Sequence, residues 1–188
     1  MRILSPYTLK WRHGEHEQND ISMLIRENYY QAYHASLPRC MPWLLGMYDA
    51  NGYLQAACGV QMASQGSLYL EQYLDAPVET TLSLQLALPV SRNTIVEIGN
   101  FAARDGASAR IMYAALCQLL NQYHYSWIVF TGTKKIRNTF YRLNLHPILL
   151  MPADPTRLGN AALEWGDYYQ HDPQIMAGEL AGGHTALS

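Results

Sequence analysis

The stretch 94–130 constrains the fold more than any other part of this chain. Residues 94–102 (TIVEIGNFA) carry apolar side chains on both faces, the pattern of a strand covered from two sides. Arg104-Asp105-Gly106 then supplies a turn, and residues 108–123 place Ile111, Ala115, Leu119 and Leu120 at helical spacing. Trp127-Ile-Val-Phe130 is a second, continuously apolar strand. Strand, glycine turn, helix and buried strand form a crossover unit, and a right-handed crossover makes the two strands parallel neighbours in one sheet. The chain is therefore expected to be α/β, with a mixed central sheet flanked by helices.

The flanking segments fit that frame. Residues 17–37 space Ile21, Leu24, Ile25, Tyr29 and Ala32 as a helix, which Pro38 and Pro42 bring to an end. Residues 43–48 and 53–64 are expected to be strands of a hairpin turning on Asn51-Gly52. Residues 68–73 fit either a short strand or a helical turn, and 78–89 have helical spacing behind a β-branched start. Residues 133–143 are expected to form a further helix and 148–151 a last strand. A length of 188 residues is one domain's worth, here 1–180, with 181–188 (AGGHTALS) expected to be a flexible tail.

Composition excludes several functions. The net charge is -2 with no basic run, so nothing points to nucleic acid or an anionic lipid surface. Cys40, Cys58 and Cys117 are odd in number and far apart, which fits a reducing cytoplasm better than a disulfide framework. The seven histidines show no metal-binding spacing and there is no G-x-S-x-G elbow, so neither a metal site nor a serine lipase is expected. The first twenty residues lack the apolar core of a signal peptide, and the longest apolar runs are too short to cross a bilayer. The expectation is a soluble cytoplasmic protein that meets membranes only indirectly.

Two features carry chemistry. The strand–turn–helix of 97–110 leaves unpaired N–H groups at a helix start, where a pyrophosphate or phosphopantetheine phosphate can bind. Phe101, Ala102, Ala103, Arg104, Gly106, Ala107, Ser108, Ala109 and Arg110 form that candidate donor site, against the plainer alternative of an ordinary capped turn. Glu71 and Glu97 lie in otherwise apolar segments, where a carboxylate is costly unless paired or facing a cleft. Each is either a base that deprotonates an attacking amine or one half of a salt bridge to Arg92, Arg137 or Arg142. Asp75 and Glu79 are candidates to receive a cationic acceptor. Trp165, Tyr168 and Tyr169 form a packing cluster or wall an acyl pocket.

The order of elements resembles the GNAT acyltransferase superfamily. Aligned on Gly106, Ala103 and Ser108 stand where that superfamily's phosphate loop has Gln or Arg and a small residue, and Phe140 replaces its usual tyrosine acid, with Tyr141 adjacent. More closely, CGVQMA (58–63), LYLEQYLD (68–75), IVEIGNFA (95–102), WIVFTGT (127–133), IRNTFYRLNLHP (136–147) and WGDYY (165–169) resemble the bacterial thermostable hemolysin family. EIGNFAA is also similar to the E-L-S-R-F motif of acyl-homoserine-lactone synthases, whose glutamate handles the amine; the matching residue is Glu97, and Asn100 stands where their arginine does. These resemblances imply an acyltransferase that takes an acyl group from acyl-CoA or acyl-phosphopantetheine on acyl carrier protein and gives it to a small amine. Asn100 and Thr131 are then expected at the acceptor, and no tightly bound cofactor is expected. The other class that the resemblance leaves open is a membrane-active toxin without enzymatic activity.

Overall fold

The computed structural model describes residues 6–14 and 19–187. One seven-stranded sheet forms its centre: β1 (Thr8–His13), β2 (Trp43–Tyr48), β3 (Leu54–Met62), β4 (Ile95–Ala103), β5 (Trp127–Gly132), β6 (Ile148–Pro152) and β7 (Gln174–Glu179), in the order β1-β2-β3-β4-β5-β7-β6. Only β4 and β5 are parallel; every other neighbouring pair is antiparallel. The expected crossover is present, with α3 (Gly106–Gln122) joining β4 to β5.

That parallel pair is only half zipped. Ladder pairing runs from Ile95 opposite Trp127 to Ile98 opposite Phe130 and stops there, although both strands continue. Past that point each stays bonded by its outer edge, β4 to β3 as far as Ala103 and β5 to β7 as far as Gly132. The sheet therefore divides into two diverging halves. A bulge marks the split: the β3–β4 register slips between Ala57 and Gly59, and Asn100 sits in the left-handed region at φ 48°. The Asn100 side chain fixes the irregularity by accepting the Met41 backbone N–H at 2.8 Å.

Helices cover both faces. On one, α3 packs Met112, Leu116 and Leu120 on Val60, Val96 and Ile98. On the other, α1 (Asp20–Tyr33) packs Ile21, Leu24 and Ile25 on Leu44, Ala57 and Ala102. Beside α1 the segment 68–86, including α2 (Val78–Leu86), packs on Ile95, Val129 and Ile175. The helix α4 (Lys134–Arg142) follows β5.

Several expectations need correction. The start expected for the first helix, Glu17, lies outside the described residues, and α1 stops at Tyr33 rather than Leu37. His34 takes a left-handed conformation there and turns its N–H back to the Tyr30 carbonyl. Residues 69–73 form a 3₁₀ turn, not a strand. β1 and β7 were not foreseen, and residues 181–187, expected within a tail, belong to the helix α5 (Leu180–Leu187), with Leu180 buried in the α3 core cluster. Gly182 and Gly183 weaken the local helix signal, which packing against α3 overrides.

Candidate active site

Two cavities lie at the split between β4 and β5, one on each face of the sheet. The first, about 370 Å³, has walls of Phe101, Tyr113, Leu116, Ile128, Phe130 and Phe140, with residues of β7 and α5 also lining it. The second, about 420 Å³, lies under α1 and the 155–171 segment, with Glu97, Gln61, Asn100, Tyr69, Tyr73, Trp165 and Tyr168 around it. Four residues line both: Tyr29, Ile98, Gly99 and Thr131. A Cβ at Gly99 would lie 2.5 Å from Met41 Cε, so the end of the Met41 side chain would have to move to admit one. Both volumes suit a small organic ligand.

Glu97 is the chemical centre of the second cavity. It is 2% exposed, and its two oxygens accept backbone N–H bonds from Tyr69 at 2.7 Å and Leu70 at 3.1 Å. Among the described residues no arginine or lysine pairs with it, because Arg92, Arg137 and Arg142 bond elsewhere. Burial pushes its carboxyl up to about 8; the two N–H bonds act in the opposite direction and Glu71 adds slightly to the rise. A carboxylate has room for about four hydrogen-bond donors, so two places remain for a ligand.

Glu71 has a different role. It accepts from Arg92 at 2.6 and 3.0 Å and from the Leu68 and Val78 N–H groups. Arg92 also donates to Glu79, to the Ala63 carbonyl and to the Gly66 carbonyl, so all five guanidinium donors are used. Burial raises the Glu71 carboxyl, but the Arg92 and backbone hydrogen bonds outweigh it and hold the group below the usual glutamate value. Of the two alternatives for Glu71, the geometry matches the salt bridge, which ties down the loop carrying Tyr69 and Leu70. Asp75 pairs with Arg157 and lies with Glu71 and Glu79 at a separate surface dent.

The expected donor loop is placed less favourably. Phe101 lines the first cavity, but Ala102 points into the α1 core and Ala103 pairs with Ala56. Arg104 donates its side chain to the Leu54 carbonyl and its N–H to Gln55. The Asp105 carboxylate caps α3 by accepting the Ser108 N–H at 2.7 Å, and the Ala109 N–H bonds the Asp105 carbonyl. The helix start thus already has its own anion; hydrogen bonds from the Ser108 N–H and side chain keep Asp105 below the usual aspartate value. A Cβ on Gly106 would meet open space.

Sequence reasoning missed Tyr29, which joins the two cavities, and Tyr113, which stacks on Phe101 with centroids 4.5 Å apart. Tyr29 shows in the sequence only as a helix-spaced apolar position. Trp165 and Tyr168 line the Glu97 cavity, Trp165 donating to the Tyr69 hydroxyl at 2.9 Å, whereas Tyr169 bonds Tyr73 in the packing cluster. Phe140 lines the first cavity, and Tyr141 is exposed.

A central sheet split at its parallel pair, with a bulge in the inner strand and a crossover helix behind, is a GNAT-like fold. Three solved structures share it: TofI in an apo form (15% identity, TM-score 0.59, covering 96% of this chain and 95% of that one), the AHL synthase LasI (13%, 0.57, 93% and 90%) and FeeM, an N-acyl amino acid synthase from uncultured soil microbes (15%, 0.58, 97% and 95%). No curated protein matches the sequence. The thermostable hemolysin family model matches residues 11–184, and the chain belongs to that family.

Proposed function

We propose that this protein is an N-acyltransferase, moving an acyl group from a pantetheine thioester, on CoA or acyl carrier protein, to an amine. The observation that carries this reading is the meeting of two unlike cavities at the β4–β5 split. One is apolar and suits an acyl chain; the other holds a buried carboxylate without a cationic partner among the described residues. The fold shared with LasI and FeeM, proteins named for acyl-homoserine-lactone and N-acyl amino acid synthesis, supports the same class.

In this reading the thioester carbonyl lies at Gly99 and Thr131, with the acyl chain among Phe101, Tyr113, Phe130 and Phe140. The amine enters past Trp165 and Tyr69, whose rings favour an ammonium group. Glu97 takes a proton from the bound ammonium, and the freed amine attacks the thioester carbonyl. As the C–N bond forms and the C–S bond breaks, the nitrogen's second proton passes to the departing sulfur, which leaves as a thiol. A carboxyl raised to about 8 is matched to that task near neutral pH. The donor phosphate is assigned to the start of α3, with Gly106, Ala107 and Arg110 nearest. Purified protein, offered acyl-CoA or acyl carrier protein thioesters and a panel of amines, should release free thiol and form an amide by mass spectrometry. Absence of both with every donor would overturn the assignment.

A further inference from the structure

Three glycines, Gly178, Gly182 and Gly183, line the apolar cavity where β7 runs into α5. Gly178 stands out because it occupies a strand. It pairs with Ile128 in the β5–β7 ladder, a position where glycine costs backbone entropy and supplies no side chain to pack. Its neighbours pack fully: Ile175 and Ala177 are entirely buried on the opposite face, and Met176, on the same face, is nearly so. At Gly178 that packing stops, since a Cβ built there meets no heavy atom within 4 Å, as at Gly182 on α5. At Gly183 it would instead lie 3.2 Å from Cys117 Sγ. The strand position also holds Gly178 by main-chain bonds, so a side chain placed there points in a fixed direction.

We infer that Gly178 sets the length of the acyl chain the protein accepts. Its missing side chain is the free volume that the far end of the chain occupies. This rests on the reading of the cavity as an acyl chamber and adds to it the residue that ends the chamber. Ile128, Leu180 and Cys117 line the same cavity.

The test is a series of straight-chain thioesters from butyryl to palmitoyl, turned over by wild type, Gly178→Ala and Gly178→Val. The valine variant should lose the longest chains that wild type uses, with kcat/KM falling about ten- to a hundredfold for each methylene that no longer fits. Short chains should be used as before, and the alanine variant should fall between the two. Should the valine variant fail to fold, the alanine variant carries the test, since one methyl enters open space. Binding of acyl-pantetheine thioethers of the same lengths, followed by calorimetry, gives a readout independent of turnover and should show the same truncation. An unchanged length profile in active variants, or an equal loss at every length, would overturn the role of Gly178 while leaving the acyltransferase reading intact. Failure of wild type to bind or turn over any member would overturn both.

Discussion

At the residue scale, Glu97 and Glu71 show how one side-chain type serves opposite ends. Glu97→Gln removes basicity and should lower acyl transfer on the order of 10²–10⁴-fold, the usual worth of a general base. The amide can accept only one of the two N–H bonds, a fixed cost of about 1–3 kcal/mol that does not vary with pH. The carboxylic acid does vary. Its folded value lies near 8 against an ordinary 4.5, so the folded state holds the proton more tightly, and wild-type stability declines as pH rises between those values. The melting temperature of Glu97→Gln should therefore gain on wild type from about pH 5 to pH 8, the window those two values define. Parallel melting curves would remove the raised carboxyl from the account. Wild-type activity should rise over the same window as the base ionises. For Glu71→Gln the expectation reverses: stability falls, by about 3 kcal/mol if the half-buried Arg92 behaves as a fully buried partner and less with solvent screening. Because Glu71 sits below its ordinary value, that difference should be full at neutral pH and fade in acid, as denaturation at pH 7 and pH 4 would show.

At the element scale, the start of α3 sets the Asp105 carboxylate against the proposed donor phosphate. Asp105→Asn keeps a capping side chain and removes its charge; Asp105→Ala removes the cap and should cost about 1 kcal/mol of stability. If the donor phosphate approaches this helix end, the asparagine variant should lower the donor KM about two- to fivefold, matching the roughly 0.3–1 kcal/mol of a charge at a helix terminus. An unchanged donor KM would place the phosphate elsewhere. The crossover β4–α3–β5 was legible because each piece is long, apolar and periodic. β1 was legible only as a short alternation of Leu9 and Trp11 with Lys10 and Arg12, and α5 was not legible, because glycines hide a helix made by packing. The Glu97 position was legible as a lone carboxylate in an apolar run, but its partners were not. Tyr69 and Leu70 act through backbone N–H groups, which leave no mark on residue type. The cavities were equally invisible, because they arise from strands that part after Ile98 and Phe130 rather than from any motif.

At the scale of the whole molecule, the family's name and the fold point to different agents of lysis. Among the described residues no helix is long and apolar enough to cross a membrane. At the β4–β5 split the molecule has instead a cavity lined by aromatic rings, beside a second one that holds a buried carboxylate. On the proposed reading, lysis comes from the product: an amide joining an acyl chain to a polar amine is itself amphiphilic. Erythrocytes given purified protein alone should therefore retain their haemoglobin. Cells given protein, a long-chain thioester and an accepted amine should release it, and the extracted product should do so without protein. Glu97→Gln should suppress lysis in proportion to its loss of acyl transfer, which a folded but inert control protein cannot mimic. Equal lysis by wild type and Glu97→Gln without any thioester would show instead that the polypeptide disrupts the bilayer directly, and that the cavities serve another end.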